Sequence, residues 1–396
     1  MAVLEGKRVL DFGRYIAGPF CGTMLGDLGA DVIRVERVTG SEDRYTTPVA
    51  EYEGQPVGAL FLHLNRNKRG FTFNPKKPGA SEILARLVKS SDVVIANMSP
   101  SGVADIGLDY ASLKAIKPDI ILVTSTAFGA QGPYGNRVGF DGVAQAMSGN
   151  LHLTGQPDAP TKNYFPYVDF MTGALNTIGA MAALMNRDQT GEGQHVQGAL
   201  LASALTIAGA TLIEQALTGV NRQATGNRGQ TAAPSDTFAT SDGWVLVSVV
   251  GDPLFARWVK LVDKPEWLTD PRFATDATRG EHAELISETM QAWTRERSSA
   301  QVLQALDDAR IPCGEVLAPA QTLLNEQVQA MRYLVQMSYP GLPADYPLPR
   351  TPIEFSSDLS RSPVRPPLLG EHTNQILTEL GYTAEQIDQF RELRIV

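Results

Sequence analysis

Alternation between short apolar strands and amphipathic helices in the first 130 or so residues constrains the fold of this chain more than any other feature. The stretch Arg8–Gly13 (RVLDFG) predicts a strand that ends in glycine. A helical segment opened by Pro19 and closed by Gly29 follows it, and Asp31–Glu36 (DVIRVE) predicts a second strand. Strand, helix and strand within about 30 residues form a βαβ unit, which requires a parallel strand pair with a right-handed crossover.

The same alternation continues further along the chain. Ala80–Ser90 predicts a helix, Asp92–Ile95 a strand, Tyr110–Ile116 a helix and Ile120–Thr124 a strand. The sequence therefore predicts an α/β fold built on a Rossmann-like, doubly wound parallel sheet.

Loops and two helices rich in small residues are predicted next. Gly129–Asn150 is glycine-rich and predicts a loop, whereas Met171–Met185 and Gly198–Leu217 predict helices whose small side chains allow close packing. The apolar run Val196–Leu217 is long enough to span a membrane, but it contains polar residues and much Ala, Gly and Thr. We therefore interpret it as a helix buried between protein layers, and we expect no membrane partner.

The second half of the chain has a different character. Asn221–Pro234 is polar and resembles a linker, and Trp244–Val250 predicts the first strand of a second unit. Leu342–Pro367 contains seven prolines, which indicates an irregular segment that wraps over the surface. Leu377–Phe390 predicts one or two closing helices.

Charge and cysteine content exclude several classes of function. The formal net charge is -9 with no block of like charges, so nucleic acid and anionic membranes are poor partners. Cys21 and Cys313 lie far apart and the five histidines lack metal-ligand spacing, so we expect neither a disulfide framework nor a metal site. The absence of a signal-peptide pattern and the reduced cysteines predict a cytoplasmic location.

The first strand–helix turn, GRYIAGPF, contains Gly13 and Gly18 but matches neither G-x-G-x-x-G nor a phosphate-binding P-loop. On glycine spacing alone, a tight turn without a ligand is favoured. The second strand ends in Glu36 followed by Arg37, and an arginine at this place accommodates a ribose phosphate. A solvated surface arginine is the alternative interpretation.

A basic segment, Asn65–Lys76 (NRNKRGFTFNPK), places four cations around two phenylalanines. The cations are Arg66, Lys68, Arg69 and Lys76, and the aromatic residues are Phe71 and Phe73. This combination suits a nucleotide, with phosphates on the charges and adenine on a ring. The alternative is a basic edge strand whose phenylalanines point inward.

One acidic residue, Asp169, stands between apolar Val168 and Phe170, directly before a helix of small residues. The chain has no G-x-S-x-G or H-E-x-x-H motif that would supply another catalytic centre. From spacing alone, an aspartate at a helix start is more often an N-cap than a nucleophile.

Several segments in order along the chain resemble the class III CoA-transferases, the family of formyl-CoA transferase and crotonobetainyl-CoA:carnitine CoA-transferase. The matching segments are Leu4–Phe12 (LEGKRVLDF), Ala17–Phe20 (AGPF), Leu28–Arg37 (LGADVIRVER), Asn65–Gly70 (NRNKRG), Phe128–Asp141 (FGAQGPYGNRVGFD), Tyr167–Leu175 (YVDFMTGAL), Thr190–Gln197 (TGEGQHVQ), Ile311–Val316 (IPCGEV) and Leu368–Thr373 (LLGEHT).

The resemblance implies that Asp169 is the catalytic nucleophile, which forms acyl anhydride and CoA thioester intermediates in a site that excludes water. Coenzyme A would enter as the acyl-CoA substrate, with a carboxylic acid as acceptor and without a metal or a bound cofactor. The CoA contacts implied by position are Ala17, Arg37, Phe73, Asn74, Lys76, Asn97, Met98, Arg137 and Phe140.

Two departures from the family pattern limit the substrates that the resemblance implies. Asp105 stands where some members have an arginine, and Gly226–Asp236 lacks the glycine-rich lid of the oxalate-handling members. A formyl and oxalate pair is therefore not expected. Residues with cationic or phenolic side chains near the motifs suggest a dicarboxylate such as succinate; they are Arg14, Tyr15, Arg137, Tyr164 and Tyr167.

Three alternatives stay open beside the transferase. An α-methylacyl-CoA racemase of the same fold needs a histidine base within a G-H-D element, where this chain has Gly139, Phe140 and Asp141. A CoA-binding subunit without turnover would not need Asp169. An NAD-dependent dehydrogenase lacks its glycine fingerprint here.

The resemblance also implies the domain organisation and the assembly. Residues 1–220 and 331–396 would form a large CoA-binding domain, the second of these segments including the proline-rich return linker. Residues 225–330 would form a smaller α+β domain. The family fold further implies an interlocked homodimer.

Overall fold

A computed structural model describes residues 2–46, 48–357 and 359–396 of the chain. These residues form two compact units. The larger unit comprises Met1–Ser148, Tyr164–Ile213 and Met331–Val396, and the smaller comprises Gly149–Asn163 and Glu214–Ala330.

The strands and helices of the two units are numbered in chain order. The strands are β1 (Arg8–Asp11), β2 (Asp31–Glu36), β3 (Pro48–Tyr52), β4 (Gln55–Gly58), β5 (Lys68–Thr72), β6 (Val93–Ala96), β7 (Ile121–Thr126), β8 (Gly155–Gln156), β9 (Ala159–Pro160), β10 (His195–Ala199), β11 (Ser235–Ala239), β12 (Trp244–Ser248), β13 (Cys313–Glu315), β14 (Leu334–Met337) and β15 (Tyr346–Pro349). The helices are α1 (Ala17–Asp27), α2 (Ala59–Leu64), α3 (Ala80–Lys89), α4 (Pro100–Ala104), α5 (Tyr110–Ile116), α6 (Asp141–Met147), α7 (Tyr167–Thr190), α8 (Leu200–Thr218), α9 (Asp252–Leu261), α10 (Asp276–Glu281), α11 (Ala283–Arg295), α12 (Ser299–Asp308), α13 (Pro319–Leu324), α14 (Glu326–Ala330), α15 (Thr373–Glu379) and α16 (Ala384–Glu392).

The larger unit is built on a six-stranded sheet in the order β10-β7-β6-β1-β2-β5, in which all neighbouring strands are parallel. Numbered along the chain, this order is 3-2-1-4-5-6 when viewed from β5, which is the Rossmann strand order. The chain reverses its direction of winding between β1 and β6. Ligands of such sheets bind in the crevice outside the carboxyl ends of the strands at this switch point.

Helices cover both faces of the sheet because its strands are apolar on both sides. Residues of α3, α5, α15 and α16 pack on one face, and residues of α1 and α7 pack on the other. Helices α1 and α7 approach closely because Gly173 faces α1: a Cβ atom there would lie 2.8 Å from the carbonyl oxygen of Ala17. The small residues of α7 therefore allow the contact that the sequence predicted.

The smaller unit contains an antiparallel sheet in the order β11-β12-β13. Its core includes Phe238 and Val245 from the sheet and Trp258, Ile286 and Leu306 from helices α9, α11 and α12. An α/β unit with a parallel sheet and a smaller α+β unit are both present, so the predicted fold class is confirmed.

Three local predictions differ from the structure. Strand β10 (His195–Ala199) was not predicted. The sequence predicted a helix from Gly198, which instead lies within this strand. Helix α6 (Asp141–Met147) interrupts Gly129–Asn150, all of which was predicted to be a loop. Helix α7 is longer at both ends than Met171–Met185, so that Asp169 lies inside the helix.

Helix α8 is less buried than the sequence predicted. In the single chain it buries only Leu200, Ser203, Ala204 and Ala208, and the expectation of a helix enclosed between protein layers is therefore wrong for the isolated chain. Helices α7 and α8 are each long and apolar enough to cross a membrane by length and composition. Core helices of globular proteins pass the same test, so this property is weak evidence for a membrane span.

Candidate active site

A cavity of about 410 Å³ lies at the switch point of the large sheet. Its walls come from the turn after β1, the residues after β6, the end of β7, the loop before α6 and the first turn of α7. Asp169 lines this cavity together with seven other residues that were singled out from the sequence. These are Arg14, Tyr15, Ala17, Asn97, Met98, Arg137 and Phe140.

The turn after β1 is held in one conformation by Asn97. The Asn97 side-chain oxygen accepts a hydrogen bond from the Arg14 backbone N–H at 2.7 Å, and its amide nitrogen donates to the Arg14 carbonyl at 2.6 Å. Tyr15 has a φ of 60°, a backbone region that few residues other than glycine adopt. The amide of Asn97 is therefore engaged in shaping the turn, which makes Asn97 a positioning residue of the cavity wall.

Gly13 and Gly18 are needed for a close backbone approach within this turn. A Cβ atom on either residue would lie 2.9 Å from the Cα atom of the other. Real Cβ atoms do not approach that closely, so neither position accepts a larger residue without movement of the backbone. The tight-turn interpretation of the two glycines accounts for both.

A fully buried charge network supports the turn from below. The Lys68 ammonium donates to Asp11 Oδ2 and to the Pro19 carbonyl, each at 2.8 Å, and to the Asn65 side-chain oxygen at 3.1 Å. Asp11 Oδ1 accepts from the Gly13 N–H at 2.8 Å, and Arg34 donates to the Gly13 carbonyl. The charges therefore fix the position of the turn rather than face a ligand.

The basic segment Asn65–Lys76 consequently has the structural role that was its alternative interpretation. Strand β5 lies at the edge of the sheet, and the prediction of a cation cluster for phosphates is wrong for three of its four members. Arg66 binds Asp27 at 2.7 Å, Lys68 binds Asp11, and Arg69 binds Asp31 at 2.7 Å. These carboxylates already neutralise the three cations.

Glu36 is likewise unavailable to a ribose hydroxyl. Its carboxylate is buried and accepts hydrogen bonds from Arg44 at 2.6 and 3.1 Å and from the Ser41 backbone N–H at 3.2 Å. A dinucleotide site of the NAD type needs this residue free at the end of the second strand. The structure therefore weakens the dehydrogenase alternative further.

Asp169 lies in the first turn of α7 but does not cap the helix. Pro166 occupies the N-cap position, and the backbone N–H groups of Val168 and Asp169 donate to Asp141 Oδ2 at 2.8 and 3.1 Å. The N-cap interpretation of Asp169 is therefore wrong: Asp141, from the start of another helix, satisfies these donors. The Asp169 carboxyl is left to line the cavity.

Its surroundings make the Asp169 carboxyl unusually basic. Burial, and then the negative charge of Asp141, raise the pKa of Asp169 from 3.8 to about 7. A raised carboxyl pKa within a cavity is typical of a catalytic residue. The carboxylate form of Asp169 is also a stronger nucleophile than an ordinary aspartate, because basicity and nucleophilicity rise together.

A second cavity, of about 810 Å³, shares Arg14 and Met98 with the first. It is lined by four further residues that the resemblance implied for CoA, namely Arg37, Phe73, Asn74 and Lys76. Arg37 is exposed and contacts Glu42 at 2.9 Å, and Lys76 is exposed. Burial, and then the nearby Arg37, lower the pKa of Arg14, and the Glu42 carboxylate, 3.7 Å from the Arg14 guanidinium, partly opposes this.

The second cavity also contains residues that sequence analysis did not single out. Arg391 and Arg394, at the end of α16 and just after it, line this cavity together with Asp105. The Asn74 backbone N–H donates to the Ile395 carbonyl at 2.8 Å and so ties this end of the chain to the cavity wall. No local sequence signal identifies them, because more than 300 residues separate them from Asn74.

Two tyrosines predicted near the acyl site do not line the Asp169 cavity. Tyr164 is exposed and contacts Phe165, and Tyr167 packs against a core cluster that includes Ala17 and Leu200. Neither contributes to the wall of the Asp169 cavity. Within the part of the chain that the structure describes, no three His, Cys, Asp or Glu side chains form a group that could hold a metal ion.

The chain is similar to known proteins over nearly its whole length. The CoA-transferase family III model matches residues 4–373. Succinate–glutarate CoA-transferase of Agrobacterium fabrum is 33% identical over 388 residues, which cover 95% of each chain. Succinyl-CoA–D-citramalate CoA-transferase of Chloroflexus aurantiacus is 30% identical over 396 residues, covering 99% of this chain and 98% of the relative.

Comparison with solved structures agrees with these sequence matches. A crystal structure of a CAIB/BAIF family protein from Brucella suis superposes with a TM-score of 0.84 at 33% identity and covers 96% of this chain and 99% of that one. The family model, the sequence relatives and the structural neighbour all indicate the same family. The chain belongs to CoA-transferase family III and is a CoA-transferase.

Proposed function

We propose that this enzyme transfers CoA from an acyl-CoA donor to a dicarboxylic acid through covalent intermediates on Asp169. The observation that carries the proposal is the position of the Asp169 carboxyl in the wall of a cavity, with a pKa raised to about 7 and no role as a helix cap. A carboxyl group so placed is free to react with a thioester.

The reaction proceeds through two anhydrides. A carboxylate oxygen of Asp169 attacks the thioester carbonyl, the C–S bond breaks, and CoA leaves as a thiolate. The thiolate then attacks the aspartyl carbonyl of the anhydride, which releases the donor acid as a carboxylate and forms an aspartyl-CoA thioester. The acceptor carboxylate attacks that thioester, and the same two steps in reverse deliver the new acyl-CoA.

The second cavity would hold the nucleotide end of CoA. Arg37, Lys76, Arg391 and Arg394 supply positive charge for its phosphates, and Phe73 and Met98 supply apolar wall for the base. Asp105 stands where some members of the family have an arginine, and Arg394 would supply part of that missing positive charge.

Arg394→Gln tests this assignment by comparison of CoA with 3′-dephospho-CoA. We expect the substitution to weaken CoA binding about tenfold or more, as for the loss of a charged hydrogen bond, and to affect dephospho-CoA little. Equal losses for both ligands would exclude a contact with the 3′-phosphate. Arg257→Gln, an exposed arginine of the smaller unit, is the matched control.

Arg137 is the candidate partner for the second carboxylate of the substrate. It lines the Asp169 cavity, its guanidinium stacks at 5.1 Å from the Tyr134 ring centroid, and it forms no ion pair with a described residue. The relatives that carry succinyl-CoA, glutarate or citramalate in their names support a dicarboxylate substrate. We expect Arg137→Ala to lower kcat/KM about 10- to 100-fold for glutarate but little for butyrate.

The racemase alternative has less support than the transferase. Racemisation needs a base on each side of the substrate α-carbon, and the residue at the position of the second base is Phe140, whose ring packs edge-on against Tyr15 at 5.5 Å. No histidine is among the described residues that line the cavity.

A homodimer would cover the apolar surface that α7 and α8 expose in the single chain. Ile178 and Met185 of α7 and Ile207, Ile213 and Leu217 of α8 are all exposed, and apolar surface of this kind marks an interface. If the two chains interlock, sedimentation will show a dimer that persists at low protein concentration. Fully active monomers would exclude interlocking.

Intact-protein mass spectrometry tests the covalent route. After incubation with succinyl-CoA we expect an adduct of CoA less one water on the wild type, lost on treatment with hydroxylamine and absent from Asp169→Ala. Tight CoA binding without an adduct, across several donors, would favour a CoA-binding subunit without turnover and would overturn the proposal.

A further inference from the structure

Asp141 is a buried acidic residue that contacts the nucleophile helix through its side chain. One oxygen, Oδ2, accepts hydrogen bonds from the Val168 and Asp169 backbone N–H groups at 2.8 and 3.1 Å. The other, Oδ1, accepts from the side-chain amide of Gln145, one turn further along α6. Asp141 is 4% exposed, so its charge is screened little by water.

We infer that Asp141 is a positioning residue that makes the Asp169 carboxylate more basic and more nucleophilic by occupying the N-terminal donors of α7 and placing a negative charge beside it. This inference rests on the proposed function, in which Asp169 is the nucleophile. It assigns Asp141 no contact with the substrate.

A helix N-terminus ordinarily makes a nearby aspartate less basic. The first backbone N–H groups of a helix have no partner inside the helix, and they stabilise an anion placed near them. An aspartate in the first turn of α7 would therefore ordinarily be a weak base. Because Asp141 takes the N–H groups of residues 168 and 169, these donors do not stabilise the Asp169 carboxylate.

Electrostatics adds to this effect. The Asp141 charge lies 3.1 Å from the Asp169 backbone nitrogen, and the low exposure of Asp141 limits screening. Burial and this charge, in that order, raise the pKa of Asp169 to about 7. The direction agrees with the geometry.

Other charged and titratable groups around Asp169 do not supply the same effect. Arg14 and Tyr15 from the turn after β1 and Arg137 from the loop before α6 also line the cavity, and the two arginines carry charge of the opposite sign to Asp141. His63 of α2 contacts Phe170, but burial and then Arg66 lower its pKa to about 4, so it is neutral. Among these groups, Asp141 is the one whose charge opposes ionisation of Asp169.

Repulsion between Asp141 and Asp169 favours the first covalent step. When the Asp169 oxygen bonds to the thioester carbonyl carbon and the C–S bond breaks, negative charge leaves the carboxylate and appears on the departing CoA sulfur. Repulsion from Asp141 is relieved as this happens. The ground state therefore lies closer in energy to the transition state than it would beside a neutral residue.

The pH dependence of anhydride and thioester formation tests the inference. The variants are D141N, which removes the charge and keeps a hydrogen-bond acceptor, and D141E, which keeps the charge. D188N, near the far end of α7 and exposed, is the matched control for loss of one negative charge. Single-turnover rates with succinyl-CoA are measured from about pH 5 to about pH 9, where the acidic limb reports ionisation of the nucleophile.

We expect D141N to move the acidic limb to lower pH by about one unit or more and to lower the rate plateau above it. D141E should retain most of the wild-type profile, and D188N should leave it unchanged. A D141N profile with an unmoved acidic limb would overturn the inference, even if the rate fell, because a purely structural role predicts that result.

Titration of ¹³C-labelled aspartate by NMR gives a second measurement that needs neither turnover nor a folded D141N protein. The Asp169 resonance is identified by its absence from D169A. An Asp169 pKa in the ordinary aspartate range in the wild type would overturn the inference. Because failure of the proposed function would appear as absence of transfer by the wild type at every pH, the two failures are distinguishable.

Discussion

Replacement of Asp169 by asparagine should stabilise the folded protein, and the gain should grow with pH. The pKa of Asp169 is raised in the folded protein. Between pH 3.8 and about pH 7 the folded protein therefore keeps a proton on this group that the unfolded chain releases. The stability associated with Asp169 is therefore present in full below about pH 4 and is lost as the pH rises through about 7. D169N has no such loss because its side chain does not titrate.

The magnitude follows from the size of the pKa shift. The rise of the pKa from 3.8 to about 7 corresponds to about 4 kcal/mol between the fully protonated and fully ionised limits. At about pH 5.5 roughly half of this has been lost, and at about pH 8 nearly all of it. We therefore expect the difference in unfolding free energy between D169N and the wild type to increase by about 2 kcal/mol from about pH 5.5 to about pH 8.

Urea unfolding at the two pH values, at one protein concentration, measures this difference. Comparison between the two pH values removes any constant effect of the amide on packing. D188N, at an exposed aspartate of the same helix, serves as the control for the loss of one carboxylate. A D169N gain that is equal at both pH values would refute the reasoning, because Asp169 would then ionise in the folded protein as it does in the unfolded chain.

Three further predictions concern the support of the site. Lys68→Met leaves the buried carboxylate of Asp11 without its nearest cation, and we expect the free energy of unfolding to fall by about 3–5 kcal/mol. A loss below about 1 kcal/mol would contradict a buried ion pair at this place. Asn97→Leu removes both hydrogen bonds to the Arg14 backbone, so kcat/KM should fall about 10-fold or more while the melting temperature changes by a few degrees; unchanged kinetics would show that the turn keeps its shape without the clamp. The Cys21 thiol is fully buried, and burial raises its pKa to about 12, so it should not react with a thiol reagent unless the protein is unfolded; rapid labelling of native protein at Cys21 would contradict the packing of α1.

The framework of the large unit could be predicted from the sequence because it depends on local periodicity. Apolar strands and amphipathic helices alternate in Arg8–Glu36 and again in Ala80–Thr124, and hydrophobic burial acts on each such segment in the same way. Strand β2 and helix α5 have the bounds that were predicted. Strand β10 was missed, because a short strand next to a long apolar helix gives a single apolar run without a change of period.

The role of Asp169 shows where local pattern was insufficient. An aspartate before a helix is typically a cap, and the resemblance to the family was needed to favour a nucleophile. In the structure the capping role belongs to Asp141, which lies 28 residues earlier. A hydrogen bond between residues so far apart leaves no local signal in the sequence.

The cations show the same limit. Arg37, Lys76 and Lys68 are equally basic in the sequence, yet the first two line a cavity and the third is fully buried against Asp11. The class of fold and the family could be predicted from the sequence alone, since they depend on periodicity and on ordered motifs. Which charges are neutralised and which line a cavity became evident only in the folded structure, because pairing depends on distances between residues that are far apart in the chain.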